Sequence, residues 1–204
     1  MKKFLLIFAA AVLLMFTGCS RPRMSVDPEW TAAPSEVTVL VTIPEARNTD
    51  DVYDDFMGET EFEDWFINFT EAAFNKYSKS KVAVNYVKPE VFTMTDLPLG
   101  KHRIRFPLPD AEKLEGISGI VVSVTPVTYW RTTTTVYNGF GVTSSSTLDA
   151  DLKYSIVSVE DQKVLAYGLA KDRSSFAFAM TKSNWEDLTV ALVRKVLQKT
   201  PLQK

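Results

Sequence analysis

The chain has 204 residues and carries 23 Lys and Arg against 25 Asp and Glu, a formal charge of −2. A weakly acidic protein of this kind gives no electrostatic footing for nucleic acid as a partner. Apolar residues at 46% and charged ones at 24% are ordinary for a globular domain, and a lone cysteine excludes a disulfide-held core.

At the N-terminus, Met1-Lys2-Lys3 is basic and Phe4 to Phe16 is an uninterrupted apolar run of thirteen residues. A bilayer-spanning helix needs roughly 20. A basic start, a short apolar core and small residues before a break mark a secretory signal. Phe16-Thr17-Gly18-Cys19 resembles the bacterial lipobox, with Thr17 and Gly18 fitting the pattern and Phe16 standing where Leu is usual. The resemblance implies diacylglyceryl transfer to the Cys19 thiol, cleavage after Gly18 and acylation of the new amine. Each buried methylene contributes about 0.8 kcal/mol, so several acyl chains on Cys19 hold a protein on a membrane almost permanently. Ser20 follows the cysteine where aspartate would signal inner-membrane retention, which by analogy favours the outer membrane. Residues 1–18 are therefore expected to be removed, leaving 186 residues with a charge of −4.

Residues 19–36 hold Pro22, Pro28 and Pro34 without periodicity and read as a lipidated tether, with Trp30 docking against the domain. Residues 37–204 read as one domain. Val37 to Ile43 is β-branched, ends at Pro44 and predicts a first strand. Glu45 to Glu59 is acidic and polar, a loop. Thr60-Glu61-Phe62-Glu63 fits a capping box. Behind it Phe62, Trp65, Phe66, Phe69, Ala73 and Tyr77 form the stripe of an amphipathic helix ending near Lys79. Lys81 to Val87 alternates, with Val82, Val84 and Tyr86 on one side, and predicts a second strand.

Lys88 to Gly119 is rich in proline and glycine and is the least regular stretch, with one helical turn possible over Asp110 to Glu115. Ile120 to Trp130 reads as a third strand in which Pro126 implies an edge or a bulge. Leu148 to Val159 alternates cleanly, with Leu148, Ala150, Leu152, Tyr154 and Ile156 on one side. A turn at Glu160-Asp161-Gln162 leads into a fifth strand, Lys163 to Arg173. Ser183-Asn184-Trp185-Glu186 reads as a second capping box, followed by a stripe of Trp185, Leu188, Leu192, Val193 and Val196. This order predicts an α+β fold, or equally a small α/β sandwich. It would hold a mixed sheet of about five strands, the last three an antiparallel meander, with both helices on one face.

The same order on a lipidated tether resembles the periplasmic domain of the penicillin-binding-protein activator and curli-secretion lipoproteins. The matching residues are Val39-Leu40-Val41 with Pro44, Ile120-Val121-Val122, Leu152-Lys153-Tyr154-Ser155-Ile156-Val157 and Lys163-Val164-Leu165-Ala166-Tyr167. The resemblance implies a non-enzymatic envelope accessory protein.

Residues that chemistry would use are sparse. His102, the single histidine, sits in Lys101-His102-Arg103-Ile104-Arg105 and gives neither a triad nor a zinc set. The segment reads as a solvated loop or a small basic patch. Asp50, Asp51, Asp54 and Asp55 supply oxygen ligands of the kind calcium uses, but their spacing is not that of an EF-hand, and a solvated acidic loop is the simpler reading. No catalytic residue, metal or cofactor is assigned. Arg131 to Thr147 stands out: a run of threonines, then Val136-Tyr137-Asn138-Gly139-Phe140-Gly141, then serines. Asn-Gly favours a hairpin turn, so this predicts a polar β-arm protruding past the sheet and tipped by Tyr137 and Phe140. The expectation is a lipid-anchored protein, facing the periplasm from the outer membrane, that binds an envelope protein or a copy of itself through this arm. The alternative is binding of a small ligand or glycan by exposed aromatics. A pocket shared by Trp65, Tyr129 and Trp130 would favour the ligand; a flat apolar or strand-edge surface beside the arm would favour the partner.

Overall fold

The computed structural model describes residues 23–47, 59–114, 116–139, 141–176 and 180–204. Its main sheet is built from β1 (Met24–Val26), β2 (Glu36–Val41), β3 (Glu45–Arg47), β4 (Lys81–Tyr86), β7 (Ile120–Asn138), β8 (Gly141–Ser158) and β9 (Lys163–Phe176). Two helices, α1 (Glu59–Tyr77) and α2 (Lys182–Leu197), and a separate ribbon of β5 (Phe92–Leu99) and β6 (His102–Pro109) complete it. The strands lie in the order β1-β9-β8-β7-β2-β4, with β3 also on β7. The expected meander is β7-β8-β9, antiparallel throughout. β2 runs parallel to both β4 and β7, so the mixed α+β class holds, with seven strands in place of about five.

The two additional strands come from segments without periodicity. Met24–Val26, read as tether, pairs with β9 and forms one edge. Glu45–Arg47, read as loop, pairs with Thr128–Trp130 in the register that β2 keeps with β7, so the strand resumes after Pro44. The ladder of β7 with β8 shifts between Val124 and Val127, which makes Pro126 the site of a bulge in a central strand and not an edge.

Each face of the sheet has its own cover. Val37, Val39, Val41, Val122, Tyr129, Ala150, Tyr154 and Ile156 pack against the stripes of α1 and α2. Phe62, Phe66 and Ala73 of α1 and Trp185, Leu188, Leu192, Val193 and Val196 of α2 are buried as expected. Aromatic rings join the layers: Trp185 lies 4.7 Å from Tyr129 and 5.2 Å from Phe62, and Phe66 meets Tyr129 edge-on. Such pairs add about 0.5–1.5 kcal/mol each beyond burial. α1 includes Glu59 and Thr60, so it begins earlier than a cap at Thr60 would allow. α2 is capped at Thr181, whose N–H donates to Asn184 Oδ1 at 2.9 Å, two residues before the predicted box at Ser183. α1 also guards the outer edge of β4. Asn75 exchanges hydrogen bonds with both backbone groups of Val82, and Glu71 Oε2 accepts from Val84 N–H.

The opposite face is covered by the stretch that looked least regular. Leu40 and Val121 pack there with Phe92 and Leu114, and β6 lays the fully buried Phe106 5.0 Å from the Tyr167 ring. Ser155 donates its hydroxyl to the Pro107 carbonyl, and Tyr167 donates to the Pro98 carbonyl at 2.5 Å. Three prolines lie within this ribbon, and the register explains why they are tolerated. Asp110 N–H bonds to Val91 O, so the next pairs, Phe92–Pro109, Met94–Pro107 and Pro98–Arg103, all fall on positions without ladder hydrogen bonds. The predicted helical turn is a 3₁₀ turn at Ala111–Lys113, capped by Asp110.

β1 is held by charge and by close packing. Lys163 Nζ lies 2.7 Å from Asp27 and 2.9 Å from Glu29, and Trp30 packs on the helix-side core, the docking role the sequence suggested. Lys163 holds the Asp27 carboxyl below its usual range, and the two acidic partners push the ammonium up. Asp27 therefore contributes above its unfolded value of about 3.9, and loses that contribution as pH falls through the depressed folded value. Lys163 contributes below its unfolded value of about 10.4 and loses that contribution as pH rises through its raised value. At pH 7 both contributions are present, and a Lys163→Met variant should show reduced hydrogen-exchange protection at Met24–Val26. Once pH falls through the depressed Asp27 value, the variant and the parent should converge. Equal protection at pH 7 would show that the pair does not hold β1. On the other face, Phe106→Ala should cost about 3–5 kcal/mol in urea unfolding, which tests whether the ribbon is an integral layer.

Candidate functional site

The feature that neither core explains is the far end of the central hairpin. β9 leaves β8 at the pair Ser146–Phe176, and β3 leaves β7 at Trp130. β7 and β8 continue to pair with each other as far as Asn138–Gly141. Among the described residues, 132–138 and 141–145 therefore pair only with each other, as a two-stranded ribbon that extends past the sheet. The predicted arm is present, though its root lies nearer the tip than expected, since Arg131 and Thr147 still belong to the sheet. The turn also differs. Asn138 pairs with Gly141, so Asn138 ends the ladder and does not sit within the turn.

The root is fixed by contacts on both faces. On the helix side the Arg131 guanidinium sits 5.3 Å from the Phe176 ring centre, and Leu148 is fully buried. On the other side Asp149, nearly buried, pairs with Arg173 at 3.4 Å and accepts the Thr147 hydroxyl at 2.7 Å. Lys171 lies 4.8 Å from the Trp130 ring centre. The stem is a ladder of hydroxyl residues, with Thr133 and Ser146 sharing a 3.0 Å hydrogen bond. Residues 132–147 contain no Asp, Glu, Lys, Arg or His, in a chain that is 24% charged.

The tip is apolar. Tyr137 is 78% exposed, Val142 62% and Val136 54%, and these make three of the five large exposed apolar residues among those described. Tyr137 and Val142 are directly opposed and share the face on which Leu148 enters the core. Val136 points to the other face. Phe140, like Cys19 and the Asp50–Asp55 cluster, lies outside the described residues.

The remaining candidates do not converge on a site. Tyr129 and Trp130 are neighbours in β7 and so face opposite sides of the sheet. Tyr129 is buried, its hydroxyl pushed well above the usual tyrosine range by that burial. Trp65 stacks on Phe69 along α1. The three aromatics line no common pocket. The void beneath Tyr129 is about 20 Å³, and clefts beside Arg23 and Arg194 are about 240 and 290 Å³. The first is far too small for a ligand, and the two clefts lie at the bottom of the ~300–1,000 Å³ range of small-molecule sites. His102 is exposed at the start of β6; beside it Arg105 pairs with Asp96 and Arg103 donates to the Asp96 carbonyl. Among the described residues no three His, Cys, Asp or Glu side chains come together as a metal site would require, and no helix is long and apolar enough to cross a membrane.

These features define an α+β domain with an exposed apolar-tipped β-arm. No protein-family model matches the sequence, and no curated protein matches it. Solved structures resemble it distantly. The PelC dodecamer from Paraburkholderia phytofirmans is 12% identical, covering 89% of this chain and 98% of that one, with a TM-score of 0.37. A neuraminyllactose-binding hemagglutinin homolog from Helicobacter pylori is 10% identical over 85% and 84%, with a TM-score of 0.42. Lipoprotein B from Nitrosomonas europaea is 10% identical over 86% and 88%, with a TM-score of 0.39. At this distance neither activity nor assembly carries over to this chain.

An arm that serves contact and not folding should be removable. Replacing residues 134–145 by a two-residue Asn-Gly turn between Thr133 and Ser146 should change the unfolding free energy by less than about 1 kcal/mol. A larger loss in urea denaturation would make the arm part of the fold.

Proposed function

We propose that this is a lipid-anchored, non-enzymatic accessory protein of the bacterial envelope, which binds another envelope component through the 132–145 arm. The anchor is the lipid on Cys19, added after removal of residues 1–18, and the domain faces the periplasm from the outer membrane. The observation that carries the reading is the arm itself: a paired ribbon without charge, unaccompanied by other strands among the described residues, holding Tyr137, Val136 and Val142 out in solvent. Exposing that apolar group serves nothing in the fold, and such patches mark interaction surfaces. A hairpin fixed at its root by Arg131, Leu148 and Asp149 offers its tip already ordered, which lowers the entropic cost of binding.

A photo-crosslinking residue placed at position 137 in cells tests it. The adduct should be specific to that position and missing when the same residue replaces Glu160, in the turn at the opposite end of the hairpin. Identical capture at both positions would refute the arm as a contact site. Metabolic labelling with an alkyne fatty acid tests the anchor separately: label should be present on the parent and lost in Cys19→Ser, and label persisting there would refute the lipid assignment.

A further inference from the structure

The arm and the N-terminal chain leave the sheet at the same end. β1 runs antiparallel to β9, with Met24 opposite Gly168 and Val26 opposite Ala166, and Leu169 N–H donates to the Arg23 carbonyl at 2.7 Å. Traced backward from Met24, the chain heads along β9 toward Phe176, the direction in which β7 and β8 run out into the arm. Arg23 is four residues from Cys19, a reach of at most about 14 Å. From the level of Leu169 to that of Val142 there are seven steps along β9 to Phe176 and four more along β8 from Ser146. At ~3.3 Å per residue this is about 36 Å.

We infer that the arm tip is a second membrane contact, seating Val136, Tyr137 and Val142 in the headgroup region of the leaflet that holds the Cys19 lipid. The inference rests on the anchor proposed above and names the lipid surface as the component the arm binds. A lipid held no more than about 14 Å from Arg23 sets the bilayer surface well short of a tip about 36 Å out along the same direction. An upright sheet would drive the tip about 22 Å past that surface, so the strands lean over until the tip rests level with the headgroups that hold the Cys19 lipid.

The chemistry of the arm agrees with that depth. No charge has to be desolvated between residues 132 and 147. Apolar side chains stand on both faces at the tip only, as entry into a lipid layer needs, whereas a flat protein surface would meet one face. Tyrosine suits the interface, with an apolar ring and a hydroxyl that stays wet. Depth is limited by the backbone. Past Trp130 and Ser146 each strand has one edge unpaired among the described residues, and unpaired N–H and C=O groups are excluded from the hydrocarbon core.

The test uses the full lipoprotein extracted from membranes and reconstituted, without other proteins, into vesicles of phosphatidylethanolamine with a minority of phosphatidylglycerol. A polarity-sensitive fluorophore is attached to Val142→Cys or to Glu160→Cys, the thiol of Cys19 being occupied by its lipid. The Val142→Cys label should shift to the blue and be quenched several-fold more strongly by brominated acyl chains than the Glu160→Cys label. Protein that floats with the vesicles while both labels stay aqueous overturns the arm contact and leaves the anchor intact. A blue shift that brominated lipid does not quench points to a second copy and also overturns it. Protein that fails to float overturns the anchor, and the arm contact with it.

Discussion

Everything in this molecule hangs on the pairing of β7 with β8, two strands of 19 and 18 residues that share one antiparallel ladder. Near the Ile120–Ser158 end the ladder lies under cover on both faces. The helices press on Tyr129, Ala150, Tyr154 and Ile156, and the proline-bearing ribbon covers Ser155 and Val121. β9 pairs along β8, and β2 with β3 along β7, while β1 and β4 join the sheet through β9 and β2. At the far end the ladder runs on through Thr135 and Ser144 to the apolar tip, with no other strand beside it among the described residues. One continuous element thus forms the centre of the core and the outermost surface. The arm inherits its direction and its order from a strand pair that the core cannot release.

The two covering layers differ in kind, and this decides what the sheet leaves free. On the helix side, aromatic contacts among Phe62, Phe66, Tyr129 and Trp185 join three elements, and hydroxyl groups such as that of Tyr129 are drawn into an apolar interior. On the ribbon side the contacts are fewer and more directional, with Ser155 and Tyr167 donating to the carbonyls of Pro107 and Pro98. The ribbon crosses the half of the sheet away from the arm. At the root of the arm it gives way to paired charges, Asp149 with Arg173, and to Lys171 over Trp130. The change from core to arm is therefore a graded one, from apolar packing through ion pairs to a hydroxyl ladder.

Much of this was legible in the sequence, and the exceptions have physical causes. Period-two alternation in Leu148–Ile156 and the helical stripes through Phe62 and Trp185 located the elements that bury one face. The run of threonines and serines around Asn138-Gly139 located the arm. Three prolines concealed β5 and β6, because proline argues against a strand wherever an N–H is needed. Their positions, all at pairs without ladder hydrogen bonds, could have been found only by testing the register of the ribbon. Two short strands were missed for a different reason. Met24–Val26 and Glu45–Arg47 are three residues each, too short for any periodicity, and they are strands because an edge was available for them. For the arm, Tyr137 stands where the sequence placed it. What sequence reading did not combine was the absence of charge along the arm with the direction in which the tether leaves the sheet.

The central claim is that the arm is ordered, dispensable to the core and occupied when the protein sits in its envelope. Hydrogen exchange read residue by residue over 132–145, compared between the protein free in solution and the protein on its native membranes, tests it most directly. On the membrane the arm should gain protection, with amides of the β2, β7 and β8 core unchanged. Equal exchange of the arm in both states would contradict it.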